Sequence, residues 1–159
     1  MKRMKKMLIL FVVLMCLWFR AYCPAHKQLY ILKTKEECLQ LTWSNVDWWL
    51  KYYQVEFIPI VKAQIWLETG NLSSKYCREN NNLLGMKLPK RRQSTAIGRL
   101  DGMAYYSTWI HSIEDYSIWQ KYFYKEGDYY KFLYGKGYAE DPYYIWKLKK
   151  LEKNIKIRL

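Results

Sequence analysis

One carboxylate in this chain stands where acid chemistry would need it. Glu68, within Ala63-Gln64-Ile65-Trp66-Leu67-Glu68-Thr69-Gly70, is the only acidic residue between Glu56 and Glu79. At helical spacing it falls in line with Val61, Gln64 and Ile65 on an apolar face, just before a glycine stop. That placement predicts partial burial. Burial disfavours the charged form and raises a carboxyl pKa, which is the condition for an acid that must still hold its proton near neutrality. Glu68 is therefore the candidate general acid. The bland alternative is a helix-end carboxylate paired with Lys62 or Lys75.

The elements that must hold Glu68 can be read from caps and breakers. Thr42 or Ser44 opens a helix that runs to about Tyr53. Pro59 in a first turn and Gly70 just past the last turn bound the Glu68 helix. Ser73 to Asn82 reads as a polar, turn-rich link, followed by a tight, buried segment from Asn82 to Lys87. Ser94–Leu100 and Met103–Ser107 flank Asp101-Gly102, which predicts a hairpin with a type I′ turn. Ser112 as N-cap, with Asp115 at the third position, opens a helix to about Tyr124. A short helix is expected around Asp128 to Tyr134, Gly135-Lys136-Gly137 breaks the chain, and Asp141-Pro142 caps a last helix to about Lys153. No internal repeat or linker divides the chain. The expected fold class is α+β, mostly helical with one small β-hairpin.

Composition sets the frame. A chain of 159 residues that is 51% hydrophobic is the size of one domain with a real core. Aromatic residues reach 18%, with 16 Tyr and 8 Trp, more than such a core needs, so some should face a cleft or partner. The first 25 residues read as a leader: Lys2, Arg3, Lys5 and Lys6 precede an apolar run of 13 residues from Met7 to Phe19. That run is short for a membrane span, which needs roughly 17 to 25 residues, so a cleaved signal peptide is expected over an uncleaved anchor. A lipid-attachment reading of Cys23 is opposed by the bulky, charged Arg20-Ala21-Tyr22 before it. Export into an oxidising compartment would leave Cys38 and Cys77, either as a disulfide or as two separate thiols. The formal charge is +13, and removing the five leader cations leaves +8. Such a charge favours anionic wall polymers or lipid headgroups. No nucleic-acid motif accompanies it.

Four blocks in order carry a resemblance. Ala63-Gln64-x-x-Leu67-Glu68-Thr69-Gly70, then Asn81-Asn82-Leu83-Leu84-Gly85-Met86-Lys87, then Tyr106-Ser107-x-Trp109-x-x-Ser112-Ile113-x-Asp115-Tyr116, then Gly137-Tyr138-Ala139-x-Asp141-Pro142-x-Tyr144 together resemble the bacterial glucosaminidase family. These are peptidoglycan hydrolases of glycoside hydrolase family 73 with a lysozyme-like fold. The resemblance implies a single lysozyme-like domain over residues 26–159 that cleaves the β-1,4 bond between N-acetylglucosamine and N-acetylmuramic acid. It also implies that Glu68 matches the catalytic acid and Tyr138 the active-site tyrosine. Asn82, Tyr106, Trp109 and Tyr144 become candidate substrate-binding residues. Neither cofactor nor metal is expected, and His26 and His111 offer no metal cluster. The expected partner is the peptidoglycan glycan strand, met by a monomer that is periplasmic, extracellular or anchored to the membrane.

One departure bears on mechanism. Many family members carry a second carboxylate in the small β-lobe, whereas Leu83 to Thr108 here holds a single acid, Asp101. Asp101 is the candidate second carboxylate, yet it sits in the Asp-Gly turn where turn chemistry alone accounts for it. If turn chemistry is its whole role, substrate assistance by the 2-acetamido group would fill the gap, with an inverting scheme as the alternative.

Other residues carry two readings each. Asn81 and Asn82 could hydrogen-bond sugar or hold left-handed turns. Tyr105, Tyr106 and Trp109 could stack on sugar rings, but strand alternation turns Tyr105 and Tyr106 opposite ways. Ser112, Asp115 and Asp141 read as caps. Lys87, Lys90, Arg91 and Arg92 read as a solvated basic loop, with acidic stem peptides or wall phosphates as the alternative ligand. The basic C-terminal stretch from Lys147 to Arg158 reads as a solvated face or an electrostatic membrane contact. The rivals to the hydrolase are a lytic transglycosylase, which also works with one Glu, and a non-catalytic cationic binder of glycan or membrane. Glu68-Thr69-Gly70 favours the glucosaminidase.

Overall fold

The computed structural model describes residues 39–157, so the leader, His26 and Cys38 lie outside the described residues. Six helices and one hairpin follow in chain order: α1 (Trp43–Tyr52), α2 (Ile58–Thr69), α3 (Lys75–Glu79), β1 (Gly98–Leu100), β2 (Met103–Tyr105), α4 (Trp109–Phe123), α5 (Tyr129–Gly135) and α6 (Tyr144–Ile157). This is the mostly helical α+β architecture expected. None of the helices among the described residues is long and apolar enough to cross a membrane. Cys77 is a buried free thiol.

α2 is the central element. Ile60, Val61, Ala63 and Ile65 are buried together with Lys62, Gln64 and Thr69, so the helix is covered nearly all round rather than along one stripe. α6 packs along it, with α1 and α3 against its other faces. Lys62 stays inside because its ammonium reaches Asp47 on α1 at 3.2 Å, and Asp47 also pairs with Lys51 at 2.6 Å. These cations hold the Asp47 carboxyl below its usual range despite the opposing effect of burial. Pro59 lies in the first turn, and Gly70 closes the helix in the left-handed conformation at φ 53°. Thr69 finishes the turn: its hydroxyl donates to the Ile65 carbonyl and accepts from the Leu72 amide.

The hairpin is shorter than the sequence suggests, three residues per strand, with Leu100 opposite Met103. Asp101 and Gly102 both have positive φ, 47° and 84°, as a type I′ turn requires. Thr42 caps α1 through its side chain, whereas Ser44 lies inside the helix.

Three local readings are corrected. The link after Ser73 contains the short helix α3, nucleated by the Ser74 side chain, which accepts from the Cys77 amide. α4 begins at Trp109 rather than Ser112, because burial of Trp109 and Ile110 extends it by a turn beyond the polar signal. Ser112 and Asp115 are therefore interior residues, not caps. The Ser112 hydroxyl donates to the Trp109 carbonyl and accepts from the Leu83 amide.

Asp115 is fully buried and takes a two-pronged contact from Arg92, at 2.6 and 3.0 Å, plus the Tyr106 hydroxyl at 2.8 Å. Arg92, read as part of a solvated run, has a side chain only 4% exposed in this pair. The triad ties the basic loop and the end of the hairpin to α4. Removing one partner of a buried ion pair leaves an uncompensated charge and costs about 3–5 kcal/mol. Asp115→Ala is accordingly expected to lower the melting temperature by about 10 °C or more, read by circular dichroism. A shift within a degree or two would show that the triad contributes nothing to stability.

Candidate active site

Glu68 ends the buried helix with its carboxyl only partly covered. One carboxylate oxygen, Oε1, accepts a hydrogen bond from the Tyr144 hydroxyl at 3.1 Å. The other, Oε2, faces Gly85, where an added Cβ would lie 2.7 Å from it. The two oxygens thus have different neighbours. Desolvation raises the Glu68 pKa, and the Tyr144 hydrogen bond only partly opposes the rise. The bland pairing does not form: Lys62 pairs with Asp47, and Lys75 pairs with Asp101 and Glu79.

Gly85 can approach this closely because the segment carrying it is pinned from behind. The Asn82 amide nitrogen donates to the Met86 and Ala104 carbonyls, and its amide oxygen accepts from the Met86 amide. Asn82 is 1% exposed, so it staples the loop to β2 instead of facing a cleft. Asn81 adopts a left-handed conformation at φ 52°, and its amide nitrogen donates to the Tyr106 carbonyl.

Tyr138 comes from the segment between α5 and α6. Its hydroxyl donates to the Leu84 carbonyl at 2.6 Å, the residue before Gly85. Its ring lies 5.9 Å from that of Tyr144, and burial with the nearby Tyr144 and Glu68 holds the phenol neutral. The sequence-derived pair Glu68 and Tyr138 is therefore brought to one place, on either side of Gly85 and Tyr144.

The other candidates go elsewhere. Tyr106 is fully buried and occupied by Asp115. Trp109 is buried, with its indole nitrogen donating to the Leu39 carbonyl. Both serve the core because their polar atoms find internal partners, Tyr106 at Asp115 on α4 and Trp109 at the Leu39 carbonyl ahead of α1. Tyr144 does reach the site, but it is 7% exposed and engages Glu68 itself, so it orients the acid. Asp101 is exposed in the hairpin turn and paired with Lys75 at 2.7 Å.

A buried polar chain lies behind Tyr144; its Gln64 and Tyr116 stand in the sequence motifs without a role there, and its Gln120 and Tyr129 stand in none. Gln120 on α4 is bracketed by the Glu56 backbone, accepting from its amide and donating to its carbonyl. Gln120 also donates to the Tyr129 hydroxyl, so Tyr129 must pass its proton to the bond with Tyr116 at 2.6 Å. Tyr116 in turn donates to the Gln64 amide oxygen at 2.6 Å. Gln64 lies one turn before Glu68, and its buried amide nitrogen has no hydrogen-bond partner. It sits near enough to the Tyr144 phenol to oppose part of the pKa rise that burial imposes there. The sequence signal was available: a Gln four residues before the acid, on the same apolar face.

Removing the Tyr144 donor should raise the Glu68 pKa further, because hydrogen bonding to the charged form is what lowers it. A general acid acts while protonated, so Tyr144→Phe is expected to move the alkaline limb of kcat to higher pH. It should also lower kcat at the optimum by roughly tenfold through lost orientation. A pH–rate profile superimposable on the wild type would show that Tyr144 does not act on Glu68.

A carboxyl whose pKa burial raises, in the last turn of a buried helix and close to a glycine and two tyrosines, is equipment that suits a glycoside hydrolase. Residues 50–157, more than half of the chain, match the family model Glucosaminidase, described as mannosyl-glycoprotein endo-beta-N-acetylglucosaminidase, and the chain belongs to this family. It is also similar to the protein named Protein bax from Escherichia coli (strain K12), with 32% identity over 91 residues, 54% of this chain. The match spans 33% of that relative's length. No solved structure matches the chain.

Proposed function

We propose that this chain is an exported peptidoglycan hydrolase that cleaves the β-1,4 bond between N-acetylglucosamine and N-acetylmuramic acid, with Glu68 as general acid. The observation that carries the reading is the Glu68 carboxyl itself: raised in pKa by burial, with Tyr144 on Oε1 and Gly85 close beside Oε2. In this reading the proton resides on Oε2 and passes to the glycosidic oxygen as its bond to the anomeric carbon breaks.

Substrate assistance supplies the nucleophile. Asp101 is the one acid of the 83–108 segment, and it is committed to the hairpin turn and to Lys75. The acetamido oxygen of the N-acetylglucosamine attacks its own anomeric carbon as the leaving oxygen takes the Glu68 proton. Water then adds to that carbon, returning a proton to the Glu68 carboxylate and reopening the acetamide. Because the Tyr138 proton is given to the Leu84 carbonyl, what the phenol offers substrate is oxygen lone pairs. These suit the acetamide N–H or the positive charge developing on the sugar.

Mass spectrometry of purified peptidoglycan digested by the protein tests this. Reducing N-acetylglucosamine ends are the expected product, and 1,6-anhydro ends would reassign the enzyme as a lytic transglycosylase. No released fragments would leave a glycan binder.

A further inference from the structure

Beside the Glu68 site lies a groove of about 460 Å³ that shares Gly85 and Tyr138 with it. Its lining is cationic, with Lys87, Lys90, Arg91 and Lys136 and no acidic residue. Among the described residues, neither Lys90 nor Arg91 has a carboxylate partner, and Lys87 has only a 3.9 Å contact to a nearly fully exposed Glu140. Its wall is aromatic, formed by Trp119, Tyr122 and Phe123. Tyr122 and Phe123 are exposed there at 54% and 36%, and the Lys136 ammonium sits 4.3 Å from the Phe123 ring centre. Arg92, locked onto Asp115, fixes the loop that carries the free cations.

We propose that this groove binds the carboxylate-bearing stem peptide attached to the N-acetylmuramic acid next to the cleaved bond. The inference rests on the hydrolase reading above and adds that the substrate is peptide-substituted rather than bare glycan. Two features select this occupant. Unpaired cations around an aromatic wall suit a ligand with both carboxylates and hydrocarbon, whereas a wall phosphate polymer would leave the rings unused. The shared Gly85 and Tyr138 place the groove beside the reacting sugar, where a peptide on its neighbour would hang.

The test compares kcat/KM on two glycan preparations freed of wall phosphate polymers, one bearing stem peptides and one stripped of them by an amidase. The wild type is expected to favour the peptide-bearing strands by about tenfold, equivalent to about 1.4 kcal/mol. The double variant Lys90→Glu/Arg91→Glu should lose that preference while keeping its rate on stripped strands. Equal rates of the wild type on both preparations, or an equal loss by the variant on both, would overturn the proposal. Binding of a free stem peptide to Glu68→Gln, with and without the charge reversals, reads the groove apart from the chemistry. Weakening by about fivefold or more on reversal supports it, and unchanged affinity overturns it. Charge-dependent peptide binding with no hydrolysis of either preparation would sink the hydrolase and leave the groove. Enhancement by added wall phosphate polymer, but not by peptide, would reassign the groove to phosphate.

Discussion

Glu68→Gln is expected to reduce release of reducing ends by 10³-fold or more while leaving the fold intact. General acid catalysis is worth about 10²–10⁴-fold, and among the described residues no second carboxylate acts on Glu68. Lys62 and Lys75 are engaged with Asp47 and Asp101, and Tyr138 has given its proton to the Leu84 carbonyl. The substitution keeps an oxygen to accept from Tyr144, so the side chain should stay in place. The sign of its effect on stability is also fixed. A carboxyl whose folded pKa is raised binds more protons in the folded state than in the unfolded one. Stability is then lost as pH rises from the ordinary carboxylate range through the folded pKa of Glu68. An amide has no such penalty. The variant should therefore melt at a higher temperature than the wild type at pH 8, with the difference shrinking at pH 4. Retained hydrolysis would remove Glu68 from the mechanism; an inactive variant with no pH-dependent gain would leave the acid in place but deny its burial.

Gly85→Ala should be nearly as damaging, although the residue carries no chemistry. Its φ is +60°, and a Cβ there would lie 2.7 Å from Oε2 and 3.2 Å from the carboxyl carbon of Glu68. The left-handed conformation costs an alanine roughly 1–2 kcal/mol. The larger effect is on the acid, since the new methyl must displace the carboxyl or the loop by about an ångström. A misplacement of that size costs roughly 10²-fold in rate. The expected result is a fall in kcat of about 10²-fold with a modest drop in melting temperature. Gly98→Ala is the control, because nothing lies within 4 Å of its would-be Cβ. If both glycine variants keep full activity, the close approach at Gly85 has no functional meaning.

These two residues mark how far the sequence could be read. The partial burial of Glu68 near a helix end was legible because helical periodicity and the Gly70 stop operate within a few residues. Pro59, Gly70 and Asp101-Gly102 were legible for the same reason: each acts through its own backbone conformation. Gly85 could be quoted within a motif but not explained, since its neighbour is seventeen positions away in the chain and meets it only in the folded state. Asn82, Tyr106 and Trp109 were candidates for sugar contact by residue type, and burial gave them internal partners instead. Ser112 and Asp115 looked like a helix start, but a cap signal has no knowledge of the apolar Trp109 and Ile110 that extend α4 past it.

What the sequence by itself determined is the local layer: the helical frame, the hairpin turn and the placement of Glu68 on a buried helix face. What only the tertiary structure decided is which oxygen of Glu68 takes the Tyr144 hydrogen bond and which lies against Gly85. It also decided which of the four clustered cations is locked inside and which stay exposed, and how Gln120, Tyr129, Tyr116 and Gln64 line up behind Tyr144. The reason is physical. Local propensities act over one turn of chain, whereas desolvation, close approach and hydrogen-bond direction depend on groups that folding alone brings together.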